Sequence, residues 1–140
     1  MVWAVAQSHL VNYLLPRDCP RVTFCATDTT TARDRERFNV TESSRVVVIA
    51  AEWVERVKST ALYVYELPAT TFILHDASAG YWVSRKAVVP LRAKSVADLP
   101  QQIRQRGAEF RVVDRLLPLR DEIVVSTLDY SIIRMRNTDK

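Results

Sequence analysis

The chain has 140 residues, 48% apolar and 26% charged, with a formal net charge of +4. Its length suits one domain with a real core, and its composition excludes a disordered or fibrous chain. With only 2 glycines and 2 cysteines it has neither a glycine-rich phosphate loop nor a disulfide framework, and no apolar run reaches membrane-spanning length.

Residues 1–6, MVWAVA, read as a strand that starts without a polar leader. Such a start implies a strand tied straight into a sheet, or a chain whose natural beginning lies upstream. Ser8 can cap a short helix over 9–15, with Leu10, Tyr13 and Leu14 on one side, and Pro16 ends it. Residues 17–20 form a tight polar connection. Residues 21–26 alternate, with Val22 and Phe24 on one face, as in a half-buried strand. Asp28 or Thr29 can open a charged, solvated helix over 31–38. Residues 45–50 are a strongly apolar, central strand, and 52–58 a helix that pairs Trp53 with Val57 and Glu52 with Arg56 at i,i+4.

Residues 61–94 are the stretch around which the rest is organised. The run 61–67 is apolar apart from Glu66, which suits a strand covered on both faces, and Pro68 stops it. Residues 71–74 form a second short strand, 76–80 a turn in which Gly80 tolerates positive φ, and 81–89 a third strand that ends at Pro90. The short connections make this an antiparallel set. Together with 45–50, residues 62–67 are expected to be the most buried strand. Asp98 then caps a helix that carries Pro100 in its first turn, Leu99 and Ile103 on its inner stripe and Gly107 as its C-terminal cap. Residues 109–113 are a strand. Pro118 opens a helix to about 127 that buries Leu119, Ile123 and Val124, and the tail to Asn137 docks. The whole is an α+β fold: a mixed, mainly antiparallel sheet with short flanking helices.

The runs VWAVAQSHLVNYLLPRDCPRVTF, LYVYELP, DASAGYWVSRKAVVP and STLDYSIIRMRN resemble a bacterial family of small uncharacterised proteins, over nearly the whole chain. Members of that family carry a further leading strand with a His followed by Ser-Glu. The resemblance therefore implies that this single domain, residues 1–140, is incomplete at its N-terminus. The Tyr-Glu strand at 65–66 and the Tyr-x-Val-Ser strand at 81–84 also resemble, more loosely, the split sheet of ADP-ribosyltransferase-type proteins, which include RNA 2′-phosphotransferases and DNA-modifying toxins. That likeness implies NAD, a nucleotide or a nucleic-acid end as ligand, and no turnover where the His strand is missing. No residue matches a family catalytic Glu.

Glu66 either faces solvent, pairs with an arginine such as Arg85, or lines a cleft as a candidate catalytic carboxylate or ligand anchor. His9, Cys19, Cys25 and His75 show no metal-ligand spacing, so no metal is assigned. Ser84 and Ser126 have no nearby His, and His75-Asp76 reads as a turn as readily as an acid/base pair. Arg17, Asp18 and Arg21 flank a turn, Arg85 and Lys86 follow Tyr81 and Trp82, and Arg134 and Arg136 lie on the tail. Arginines among aromatics can hold a nucleotide by stacking and phosphate contact, or be ordinary solvated charges over core rings.

Three readings follow. One is a partial ADP-ribosyltransferase-like domain lined by Arg17, Glu66, Tyr81, Ser84 and Arg85. Another is a nucleotide or nucleic-acid binding module without catalysis. The third is an interaction protein that self-associates through residues 2–6. With reduced thiols and no signal-like N-terminus, the expected compartment is the cytoplasm, with no membrane partner.

Overall fold

The structure is a computed structural model and describes residues 1–40 and 45–138. Its strands are β1 (Val2–Val5), β2 (Arg21–Cys25), β3 (Val46–Ala50), β4 (Leu62–Glu66), β5 (Ile73–Asp76), β6 (Tyr81–Ser84), β7 (Arg92–Val96), β8 (Glu109–Val113) and β9 (Asp129–Ile133). Its α-helices are α1 (Ala32–Arg37), α2 (Val54–Ser59), α3 (Leu99–Gln105) and α4 (Leu116–Ile123). The fold is α+β and mainly antiparallel, as expected; β3 and β8 run parallel. Among the described residues the strands form three sheets, ordered β8-β3-β2-β9, β1-β6-β5 and β4-β7.

The four-stranded sheet carries the core on both faces. On one side Val22, Phe24, Val46, Val48 and Ala50 pack with Phe38, Leu116 and Ile123. On the other, Val47 and Ile49 pack with Val11, Leu14, Leu15, Val57, Leu99 and Ile103. Every residue of β3 is buried, which its unbroken apolar run requires.

Three expectations about burial are corrected. β2 is buried rather than half-buried, because its polar face, Arg21 and Thr23, lies under the 3-10 turn Gln7–Tyr13. β4 is not among the most buried strands. Among the described residues it pairs with β7 alone, and Tyr63 and Tyr65 point to solvent, 69% and 56% exposed. Only Leu62 and Val64 reach the core; tyrosine's apolar ring hides this alternation from the sequence. On α4 the buried residues are Leu116 and Ile123, while Val124 is exposed.

Several local expectations shift as well. The first helix is a 3-10 turn with no side-chain cap, and Ser8 Oγ instead meets His9 Nδ1 at 2.9 Å. Thr31, not Asp28 or Thr29, caps α1 by accepting from the Asp34 amide at 3.1 Å. Helix α4 starts at Leu116, ahead of Pro118. The third strand of the central stretch ends at Ser84 rather than near Val89, and a further strand, unassigned from the sequence, runs over Arg92–Val96. Asp98 precedes α3 in a left-handed conformation without a side-chain cap. Gly80 and Gly107 do take positive φ, 72° and 79°, and the tail docks as β9 against β2.

Candidate functional site

Alternation along β2 places Arg21, Thr23 and Cys25 on one face. β9 adds Ser131 beside Thr23 and Asp129 beside Cys25. The result is a polar strip in a buried sheet, covered by the turn Gln7–Tyr13.

At one end of the strip Arg21 is 3% exposed. Among the described residues it has no carboxylate partner; its guanidinium donates to the carbonyls of Cys19, Asn12, Pro16 and Arg17 at 2.8–3.4 Å. Burial first, and then the charge of Arg134, lowers its pKa, while Cys19, Tyr13 and Tyr81 oppose that. Arg21 therefore serves as a clamp on the backbone of residues 12–19. Asn12, whose carbonyl Arg21 binds, and Thr23, two places along the same strand as Arg21, each hold a buried side-chain oxygen, Oδ1 and Oγ1, that has no hydrogen-bond partner among the described residues. A buried polar atom left unsatisfied is costly and calls for an explanation.

An aromatic group stands over the same end. The rings of Tyr13 and Tyr81 are 5.7 Å apart, and Trp3 meets Tyr81 at 5.9 Å and His75 at 4.8 Å, both edge-on. The Tyr13 hydroxyl donates to the Ala79 carbonyl at 3.3 Å. Burial and the neighbouring Tyr81 push its pKa up, so it stays a protonated donor. Arg134 has a left-handed backbone, φ 59°, which a non-glycine residue rarely adopts outside turns and functional sites. Among the described residues it makes no ion pair.

At the other end, Cys25 Sγ donates to Asp129 Oδ2 at 3.7 Å, and Arg45 meets the same oxygen at 3.7 Å. Burial foremost raises the Cys25 pKa, so the thiol is no activated nucleophile. Burial and the Arg45 charge hold His9 below the usual histidine range. Among the described residues no three His, Cys, Asp or Glu side chains could hold a metal ion.

The residues singled out in the sequence are spread out. Tyr81 belongs to the aromatic group. Ser84 is 1% exposed, and its hydroxyl is taken up by Thr71 Oγ1 at 2.8 Å and by the Lys86 carbonyl and amide. Arg17 and Arg85 are exposed. Glu66 pairs with Arg92 at 2.8 Å, not with Arg85, on the solvent-exposed ribbon β4-β7. Asn12, Tyr13 and Thr23 went unremarked as site residues. The signal for Asn12 was a lone amide in the apolar run HLVNYLL.

A family model matches residues 1–138. The chain belongs to a family of unknown function, DUF6886. Within DUF6886, then, the strip and its aromatic cover come from segments that the family model spans from end to end. No curated protein and no solved structure matches the chain. No helix among the described residues is long and apolar enough to cross a membrane.

Proposed function

We propose that this DUF6886 domain binds a nucleotide at the Arg21 end of the strip, with no catalytic step. The observation that carries the reading is the pair of buried atoms without a partner among the described residues, Asn12 Oδ1 and Thr23 Oγ1, one on a residue that Arg21 ties down and one on the same face of β2 as Arg21. Both atoms are shut off from solvent, so a ligand with hydrogen-bond donors satisfies them when the turn Gln7–Tyr13 above them gives way. Tyr13 and Tyr81 offer ring faces for a base, and Arg134 a free guanidinium for phosphate. A nucleic-acid end presents the same chemistry. NAD belongs among the candidates because of the likeness of residues 65–66 and 81–84 to ADP-ribosyltransferase-type strands. Catalysis is left out because the candidate carboxylate Glu66 lies on the exposed ribbon, paired with Arg92. The free thiols Cys19 and Cys25 suit a reducing compartment such as the cytoplasm.

Titration calorimetry with AMP, ADP, NAD and a short single-stranded oligonucleotide tests the reading. Binding by at least one of these is expected, without NAD consumption. Tyr81→Ala should weaken it by about 1–3 kcal/mol, the range for one base stacked on an aromatic ring. No heat from any of the four, or an affinity that Tyr81→Ala leaves unchanged, would overturn it.

A further inference from the structure

The ribbon β4-β7 belongs to a different sheet from the polar strip. Among the described residues each of its strands has one neighbour, so each has an open edge. A lone two-stranded ribbon is marginal in water unless further strands or packing support it. Here Leu62, Val64 and Val96 supply the packing, on one face only. On the other face Tyr63 and Tyr65 are exposed side by side. The two edges differ. β7 carries Arg92 and Lys94, the kind of charge that blunts an edge. β4, with the sequence LYVYE, has no cation and no proline, and its one acid sits at its end.

We propose that the open edge of β4 pairs with β4 of a second copy, in antiparallel fashion, to make a β7-β4-β4-β7 sheet across a two-fold axis. Full overlap of a five-residue strand with itself centres the axis on Val64. Tyr63 then stands opposite the partner copy's Tyr65, and Tyr65 opposite its Tyr63. Leu62 stands opposite Glu66, so no like charges face each other. The same operation on β7 would set Lys94 against Lys94, a repulsive pair directly across the strands. Charge thus selects one edge of the ribbon. The self-association expected at residues 2–6 is the competing contact. There Trp3 is already engaged by His75 and Tyr81, whereas Tyr63 and Tyr65, without a ring contact among the described residues, gain one across the new interface.

Sedimentation velocity on the full chain over a range of concentrations reads the association. A concentration-dependent dimer is expected. Two double variants decide where it forms: Tyr63→Lys with Tyr65→Lys, and Tyr63→Glu with Tyr65→Glu. Both substitute exposed side chains, so circular dichroism should show an unchanged fold. Each variant alone should be monomeric, since the register sets like charges opposite one another twice. Mixed, the two should restore a one-to-one dimer. A wild-type chain that is monomeric throughout would overturn the proposal. So would a dimer that survives in both variants and is lost instead on Ala4→Pro in β1. An oligonucleotide that quenches Tyr63 and Tyr65 fluorescence on a chain that never dimerises would likewise overturn it, and would assign this face to nucleic acid.

Discussion

Arg21 donates from its guanidinium to the backbone carbonyl of Asn12 at 3.0 Å, and this bond ties the turn Gln7–Tyr13 to β2. The bond belongs to a set of five that reaches four carbonyls within residues 12–19. A carboxylate would neutralise the charge but could not hold so long a stretch of chain. The planar fork of arginine spans several acceptors at once; a lysine ammonium cannot.

Arg21→Lys is therefore expected to destabilise the fold by about 3 kcal/mol, since stranding even one or two buried carbonyls costs about 1–3 kcal/mol each. Urea denaturation followed by circular dichroism measures it. A midpoint equal to that of the wild type would mean that the clamp holds nothing.

The two glycines separate backbone strain from crowding. Both have positive φ, but a Cβ at Gly80 would lie 2.5 Å from His9 Cγ, whereas one at Gly107 meets nothing within 4 Å. Gly107→Ala should cost about 1 kcal/mol, the left-handed penalty alone. Gly80→Ala adds a clash with a ring on the turn, for a total of about 2–4 kcal/mol. It should also weaken any ligand held by Tyr13 and Tyr81, because Gly80 precedes Tyr81 and its carbonyl accepts from Ala6 at 2.8 Å. Equal melting points for the two variants would contradict the crowding at His9.

Much of this architecture was legible in the sequence where one signal had one cause. The run at 46–50 had to be buried on both faces, and it is. The stripe of Leu99 and Ile103 had to face inward, and both are fully buried. The positive φ at Gly80 and Gly107 followed from their places at a turn and a helix end. Legibility failed where one residue type serves two environments. Tyr63 and Tyr65 made an edge ribbon look like a central strand, because a tyrosine ring counts as apolar whether it is covered or not. Arg21 made a buried strand look half-exposed, because nothing local reveals that four carbonyls will converge on it. Those carbonyls lie two to nine residues before Arg21, in the turn and the connection that lead into β2, and no propensity signal marks their convergence. The candidate site escaped for the same reason: Asn12 and Thr23 become conspicuous only once both are buried beside Arg21.

Cys19 ties stability to alkaline pH. It is fully buried, and burial, partly offset by Arg21, pushes its pKa from 9.0 up to about 11. A folded pKa raised above the unfolded one gives stability that is complete below pH 9 and lost as pH climbs through about 11. The loss should come to about 3 kcal/mol, at 1.36 kcal/mol per unit. Unfolding free energies measured from pH 8 to pH 11 should show this slope, to which Cys25 and Tyr13, also raised by burial, add, and Cys19→Ala should reduce it. In the native state at pH 8, iodoacetamide should modify Cys25 before Cys19, as mass spectrometry of the digested protein would show. Faster modification of Cys19 would place it outside the core.

Glu66 gives the sharpest test against a catalytic reading. Its carboxylate meets Arg92 Nε at 2.8 Å, and the two side chains are 54% and 73% exposed. Water screens such a pair, which is worth about 0.2–1 kcal/mol. Glu66→Gln should therefore lower stability by no more than about 0.5 kcal/mol, and Arg92→Ala by a similar amount. Arg85→Ala should leave the Glu66 pairing untouched, because the strand register sets Glu66 opposite Arg92. Nucleotide affinity at the Arg21 end should not respond to Glu66→Gln, since the ribbon and the strip belong to different sheets. The measurements are denaturant unfolding and the same calorimetric titration. Loss of nucleotide binding or of NAD turnover on Glu66→Gln, with stability unchanged, would make Glu66 a working carboxylate after all and move the site from the sheet to the ribbon.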